Sequence, residues 1–296
     1  MTRLEPFFYR NLKLIRRIIQ YGTVLFIIAV PIFNRFGFQS VRGTFYSISV
    51  GNLDLMDPAL MFQYILLSKE FHFSILLAGG ILLIPAVLFG KVFCGWICPY
   101  NLLAEYTDEI RKIVRPKTIC LNNKNPKPQN YWFVFGTIVT IIAVSGIPVI
   151  TFISFPGLIS AQIADYVFFG AVGFELLLIV LVVLLEIFVA PRFWCKYACP
   201  VGATLALIRK KNTLTVSFDP KICKNNCPVD RHNTVICNAA CPMQLNPRSK
   251  GLYPYCINCG ACIEACYNKG GKALNFTFHP KEKMKPVRNI NRNQED

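Results

Sequence analysis

The run Cys256-Ile-Asn-Cys259-Gly-Ala-Cys262-Ile-Glu-Ala-Cys266 spaces four thiols as C-x2-C-x2-C-x3-C. In that spacing three thiolates hold one 4Fe-4S cube and the fourth reaches across to a second. Short spacers let a single tight loop wrap a cube's corners, and Gly260 permits the close backbone approach that wrapping needs. A disulfide knot or a zinc ribbon is the competing assignment. Zinc, however, takes paired C-x2-C knuckles rather than four cysteines in one short run. The chemistry expected here is electron transfer through iron and sulfide.

A second cube needs further ligands, and Cys223-Lys-Asn-Asn-Cys227-Pro228 and Cys237-Asn-Ala-Ala-Cys241-Pro242 supply them. The Cys241-Pro242 ending matches the close of a ferredoxin half-motif, whose last cysteine serves the other cluster. The expected pairing is therefore Cys256, Cys259, Cys262 and Cys241 on one cube, with Cys223, Cys227, Cys237 and Cys266 on the other. Two features depart from the compact pattern. The first half is stretched to C-x3-C-x9-C-x3-C-P, and Tyr267 follows Cys266 where proline is usual.

A different cysteine motif occurs twice, 101 residues apart: Phe93-Cys94-Gly95-Trp96-Ile97-Cys98-Pro99 and Trp194-Cys195-Lys196-Tyr197-Ala198-Cys199-Pro200. Each reads C-x3-C-P with an aromatic between the thiols. An i, i+4 spacing puts both thiols on one face if the helix continues, while the proline bends or restarts the chain after the second. Two parallel copies imply two similar halves about an axis along the membrane normal, on which Cys94, Cys98, Cys195 and Cys199 can converge. Three roles stay open for them: a third metal site of iron or copper, since thiolates are soft ligands; a redox-active thiol set; or buried small apolar residues beside interfacial aromatics.

The elements that must position these thiols are membrane helices. A hydrophobic share of 53% and a mean hydropathy of +0.41 exceed what a soluble chain of this length carries. Four spans are expected: Ile18 to Phe33, Phe73 to about Phe93, residues 131–152, and roughly residues 168–192. Residues 34–72 read as an outer loop with a short interfacial helix opened by Asp57-Pro58, and a short outer loop runs to about Tyr166. The net charge of +16 follows this topology. Basic residues gather in the N-terminus, the 91–130 segment and the last third, so the positive-inside rule places both termini and the ferredoxin module in the cytoplasm. No nucleic-acid partner is needed to explain it. Glu175 and Glu186 fall within the fourth span, where a carboxylate is costly and often functional; a proton or quinol role is open to both. His72 is expected at the outer surface, His232 and His279 at the surface, and Cys120 as a free thiol. No C-x-x-C-H for covalent haem is present.

The fold class expected is a mainly α membrane protein of four transmembrane helices in two similar halves, with a C-terminal two-cluster ferredoxin-like α+β module. The domains are residues 1–212 in the membrane, 213–279 as the ferredoxin module and 280–296 as a basic disordered tail.

The double C-x3-C-P closing two helix pairs, the stretch from Leu53 to Gln63 with Asp57-Pro58, and the ferredoxin run together resemble the NapH-type membrane ferredoxins of periplasmic nitrate-reductase systems. Methylamine-utilisation ferredoxins and the polyferredoxin halves of nitrous-oxide regulators are similar. The resemblance implies a multi-pass protein of the bacterial inner membrane, with two 4Fe-4S clusters. It implies a place in an electron route between quinone or quinol and iron–sulfur or haem redox partner proteins, as a subunit rather than a stand-alone enzyme. A larger relative in cytochrome-oxidase assembly, associated with copper reduction, implies the alternative of a metal reductase or assembly factor working through the C-x3-C-P thiols. A third expectation is a structural anchor whose clusters only stabilise the fold.

Overall fold

The computed structural model describes residues 4–37, 40–114, 125–210, 212–220, 222–223, 235–249, 251–269 and 271–278. Cys120, Cys227, His232, His279 and the tail 280–296 lie outside the described residues.

Helix α1 (Leu4–Arg10) leads into α2 (Leu12–Arg35). The buried positions of α2, Leu12, Arg16, Gln20, Ile27 and Pro31, recur at helical spacing and make one inward face. Its other faces expose Ile18, Leu25, Phe26 and Phe33, the distribution of a helix solvated by hydrocarbon. Among the described residues it is the one helix long and apolar enough to cross a membrane.

The segment expected as an outer loop, residues 34–72, carries regular structure. Strands β1 (Val41–Thr44), β2 (Ser47–Val50) and β3 (Leu53–Met56) form an antiparallel meander, with Val41 opposite Val50 and Val50 opposite Leu53. They lead to α3 (Pro58–Ser68), opened by the Asp57 carboxylate accepting from Ala59 N at 2.9 Å. The cap is as expected, but the placement is not. Helix α3 buries Pro58, Ala59, Leu60, Met61 and Gln63 against its neighbours instead of lying at the interface. The hydropathy of α3 has no polar face to hold at a membrane surface. Helix α4 (Phe73–Phe89) follows, then the short α5 (Val92–Trp96) and α6 (Pro99–Val114).

The second half repeats this plan. Helix α7 (Pro128–Ser145) stops at Gly146, whose φ of +69° favours glycine, and Pro148 keeps α8 (Val149–Ile153) from joining it. The continuous span expected over 131–152 is thus broken. Helix α9 (Phe155–Phe169) occupies what was expected as outer loop, and α10 (Phe174–Phe188) begins later than residue 168 because Gly170 ends α9. A π-helical turn (Trp194–Ala198) and α11 (Pro200–Leu207) complete the half. The apolar helices α4, α7 and α10 carry 17, 18 and 15 residues. Helix α3 meets α8, which in turn packs on α9. There Gln63 Oε1 accepts from Ile150 N at 2.6 Å and Gln63 Nε2 donates to Thr151 Oγ1 at 2.9 Å.

The C-terminal module pairs β4 (Thr215–Phe218) with β5 (Leu274–Thr277) antiparallel, Phe218 opposite Leu274, and adds α12 (Ile236–Ala239) and α13 (Ala261–Asn268). Its core takes in Leu12 of α2. Leu214 N donates to Leu88 O at 2.9 Å, so the module is stitched to the end of α4.

Candidate functional site: two sets of thiols in one packed core

The loop before α13 is shaped by two left-handed residues, Asn258 at φ +50° and Gly260 at φ +76°. A Cβ on Gly260 would lie 2.9 Å from Leu12 Cδ1, so glycine is required by both the turn and the close approach. Asn258 is held in place by its Nδ2, which donates to Leu214 O at 2.8 Å and Phe89 O at 3.3 Å. The loop, α13 and the turn after α12 enclose a cavity whose walls include Cys241, Cys256, Cys259 and Cys262, completed by Met243 and Leu252. The four thiols grouped from their spacing are therefore neighbours. Cys241 Sγ also accepts from Leu245 N at 3.4 Å.

These residues fit a 4Fe-4S cube by the chemistry of the donor set: four thiols around an enclosed apolar space. Burial pushes the Cys241 thiol up to about 12 and Cys256 to about 11, so a cationic core is what would hold them as thiolates. Cys266, one turn beyond Cys262 on α13, packs in a cluster that also takes in Cys262, Cys237 and Cys223. A Cβ on Gly271 would lie 2.8 Å from Cys266 Sγ. The remaining expected ligand of that group, Cys227, is outside the described residues. Tyr267 stands in place of the usual proline because α13 continues through it, and its hydroxyl bonds Asn275 Oδ1 on β5 at 2.7 Å.

In the two C-x3-C-P motifs the helix does not continue through the second thiol. Cys98 N donates to Phe93 O and Cys199 N to Trp194 O, both at 2.9 Å and both spanning five residues. Pro99 and Pro200 then open α6 and α11 at the position where a missing N–H costs nothing. The thiols pair across the halves. Cys94 and Cys199 pack around the start of α3 with Ala59, Leu60 and Val201. Cys98 and Cys195 pack around the start of α9 with Tyr100, Phe155 and Trp194. Among the described residues no three His, Cys, Asp or Glu side chains are close enough to hold one metal ion.

The first motif lies directly on the cysteine loop. A Cβ on Gly95 would lie 2.6 Å from Ile257 O and 3.2 Å from Cys259 Cα, and Trp96 Nε1 donates to Asn258 O at 3.0 Å. Cys94, Cys195, Cys241, Cys256 and Cys259 consequently share one packed cluster.

The two carboxylates of α10 separate. Glu186 is buried next to the second motif, where its Oε1 accepts from Trp194 N at 3.1 Å. Glu175 is in the first turn of α10, roughly 16 Å away along the helix axis. His72 is exposed, with Nε2 3.1 Å from Glu70 Oε2. Residues not singled out from the sequence complete the site. Lys91 Nζ donates to Tyr131 OH at 2.8 Å and to Pro254 O at 2.6 Å. Arg192 donates through Nε to Asp108 Oδ2 at 2.7 Å and through Nη1 to Asn101 Oδ1 at 2.6 Å. The signal that finds them is the 101-residue repeat, read three residues upstream of each motif.

The chain matches a family described as a 4Fe-4S binding domain, at residues 71–117 and again at 172–217. These are the two halves that carry C-x3-C-P. It is 26% identical to the ferredoxin-type protein NapH of Haemophilus influenzae over 264 residues, 86% of each chain. It is 29% identical to the methylamine utilization ferredoxin-type protein MauN of Paracoccus denitrificans over 237 residues, 77% of this chain and 75% of that one. An uncharacterized protein of Methanocaldococcus jannaschii is 30% identical over 206 residues, 69% of this chain and 72% of its own. No solved structure matches.

Proposed function

Because the chain belongs to the NapH-type ferredoxins, iron–sulfur proteins of electron transfer, we propose that it relays electrons between the membrane quinone pool and partner iron–sulfur or haem proteins of a respiratory or periplasmic reductase system. Two 4Fe-4S clusters serve as the carriers, each changing charge by one electron. Cys241, Cys256, Cys259 and Cys262 hold one. Cys223, Cys227, Cys237 and Cys266 hold the other. In this reading α2, α4, α7 and α10 cross the bacterial inner membrane, and the cysteine module lies on the cytoplasmic side.

The observation that carries the proposal is the direct seating of the first C-x3-C-P motif on the cluster loop through Gly95 and Trp96. It leaves no solvent layer between membrane-edge thiols and the module, so an electron leaving the bilayer edge meets protein throughout. In this reading Glu186, buried beside the second motif, takes a proton released when quinol is oxidised, and Glu175 serves the opposite end of α10. Cys94, Cys98, Cys195 and Cys199, packed as two pairs, serve either as a redox-active thiol set or as an additional iron or copper site.

Anaerobically purified protein should contain about eight iron and eight sulfide per chain. Its cluster EPR signal should appear on reduction by quinol or a low-potential donor. Colourless, iron-free material would refute the assignment. The alternative, a copper reductase or assembly factor, is favoured by the pairwise burial of the four membrane-edge thiols. It expects bound copper, with loss of function when those four are replaced while the cluster signals persist.

A further inference from the structure

The two helices that pack on the motif thiols open in the same register, Asp57-Pro58-Ala59-Leu60 on α3 and Phe155-Pro156-Gly157-Leu158 on α9. Aligned on their prolines, a carboxylate in the first half stands where the second has a phenyl ring. Phe155 is fully buried, its ring centroid 4.7 Å from that of Tyr100 and 4.6 Å from that of Trp194. Asp57 instead borders a cavity of about 340 Å³ between the β1–β3 meander, α4, α5 and α11.

Asp57 carries the only polar side chain among the residues lining that cavity. Its Oδ1 accepts from Ala59 N, and among the described residues no basic side chain pairs with it. That leaves Oδ2 for another donor. A carboxylate facing an apolar space is costly without one. A hydrocarbon chain in the cavity would bring no donor, whereas an aromatic ring bearing a hydroxyl supplies both apolar bulk and the donor. The volume suits a small molecule, and Phe45 and Phe93, with ring centroids 6.0 Å apart, give a wall for a ring to pack on. Phe89 and Ile97 line the cavity and are also exposed, so it opens on the outer surface of the bundle. Its inner wall, at Ala86, Phe93 and Val201, belongs to the cluster that holds Cys94 and Cys199. Two residues beyond Phe93, Gly95 abuts the cysteine loop.

We infer that this cavity binds the ring of a lipid-soluble hydroquinone, with Asp57 Oδ2 accepting a hydrogen bond from a ring hydroxyl and the tail leaving past Phe89 and Ile97. The inference rests on the reading that the chain exchanges electrons with the quinone pool, and adds where the ring binds and which residue recognises its hydroxyl. It assigns the site to the half whose backbone meets the cysteine loop, and Phe155 occupies the matching position of the other.

The test uses the full chain, purified anaerobically in detergent, with a decyl-substituted benzohydroquinone as probe. Equilibrium binding of the probe, with phosphatidylglycerol as competitor, is read beside the cluster EPR signal obtained with the probe and with dithionite. Wild type should bind the probe saturably, resist displacement by the phospholipid and give the signal with either reductant. Asp57→Asn keeps an acceptor for Ala59 N but turns a donor toward the cavity, so affinity should fall about tenfold or more. Ala86→Phe puts a ring into the cavity and should abolish binding. In both variants iron, sulfide and the dithionite signal should stay at the wild-type level; if Ala86→Phe does not fold, Asp57→Asn decides. Wild-type affinity in Asp57→Asn would overturn the site while leaving the quinone reading standing. So would equal displacement by phospholipid, which marks a lipid cleft only. Wild-type protein that dithionite reduces, but that the probe neither binds nor reduces, would refute the quinone reading itself.

Discussion

The two C-x3-C-P halves share thiol spacing, a five-residue backbone bond and a proline-opened helix, yet their surroundings differ. The first places Gly95 where the second has Lys196, and at Gly95 the backbone of the first comes up against Ile257 and Cys259 of the cysteine loop, whereas the second meets the loop through side chains. At the next position Trp96 bonds Asn258 O, while Tyr197 meets the Tyr255 ring edge-on at 5.9 Å. The cations diverge as well: Lys91 reaches across to Pro254 of the module, and Arg192 turns to Asp108 and Asn101 of α6. The half-helices that approach the thiols are also unlike. Asp57 caps α3 with a hydrogen bond, whereas Ser154 at the start of α9 is buried with its hydroxyl unpartnered. Repetition therefore supplies matched thiols, and the departures from it determine which half docks the module through its backbone and which is anchored to α6.

Mutations at repeat-equivalent positions should expose that asymmetry in the stability of purified protein. The largest effect is expected at Arg192. Arg192→Met removes a 1%-exposed guanidinium and leaves Asp108, 23% exposed, and buried Asn101 without their partner; it should cost about 3 kcal/mol by denaturant titration. A loss under 1 kcal/mol would mean that the second half is not anchored through α6. Next comes Gly95→Ala, whose Cβ must displace the Ile257 carbonyl. It should cost about 1–3 kcal/mol and loosen the module, seen as faster proteolysis of residues beyond Leu207. Lys196→Ala at the equivalent position should stay within about 0.5 kcal/mol. Equal effects at the two sites would erase the distinction between backbone and side-chain docking. The smallest contrast concerns the caps. Asp57→Ala should cost about 1 kcal/mol through the lost bond to Ala59 N, while Ser154→Ala, which removes a hydroxyl that bonds nothing, should be neutral or slightly stabilising.

Much of the candidate site was legible because cysteine ligand sets are written in short spacings. The grouping of Cys241 with Cys256, Cys259 and Cys262 needed only the ferredoxin register, and the four thiols do line one cavity. The boundaries of the membrane helices were less legible. Hydropathy marks apolar segments without saying where a helix starts and stops or which face it buries, so the extent of α9 and the burial of α3 were not read from it. Lys91 and Arg192 escaped notice because a lone basic residue at a membrane edge is ordinary under the positive-inside rule. Only their burial distinguishes them.

The order of cysteines, the doubled C-x3-C-P and the apolar share of the chain determined by themselves that iron–sulfur ligands are joined to an apolar, mainly helical scaffold. Those properties depend on residue type and local spacing. Tertiary structure decided which thiols become neighbours across the halves, that Gly95 is the point of backbone contact with the cluster loop, and that two cations are buried beside the membrane-edge thiols. Such pairings join residues far apart in the chain, and packing sets them through close backbone approach and the need of buried charge for a partner.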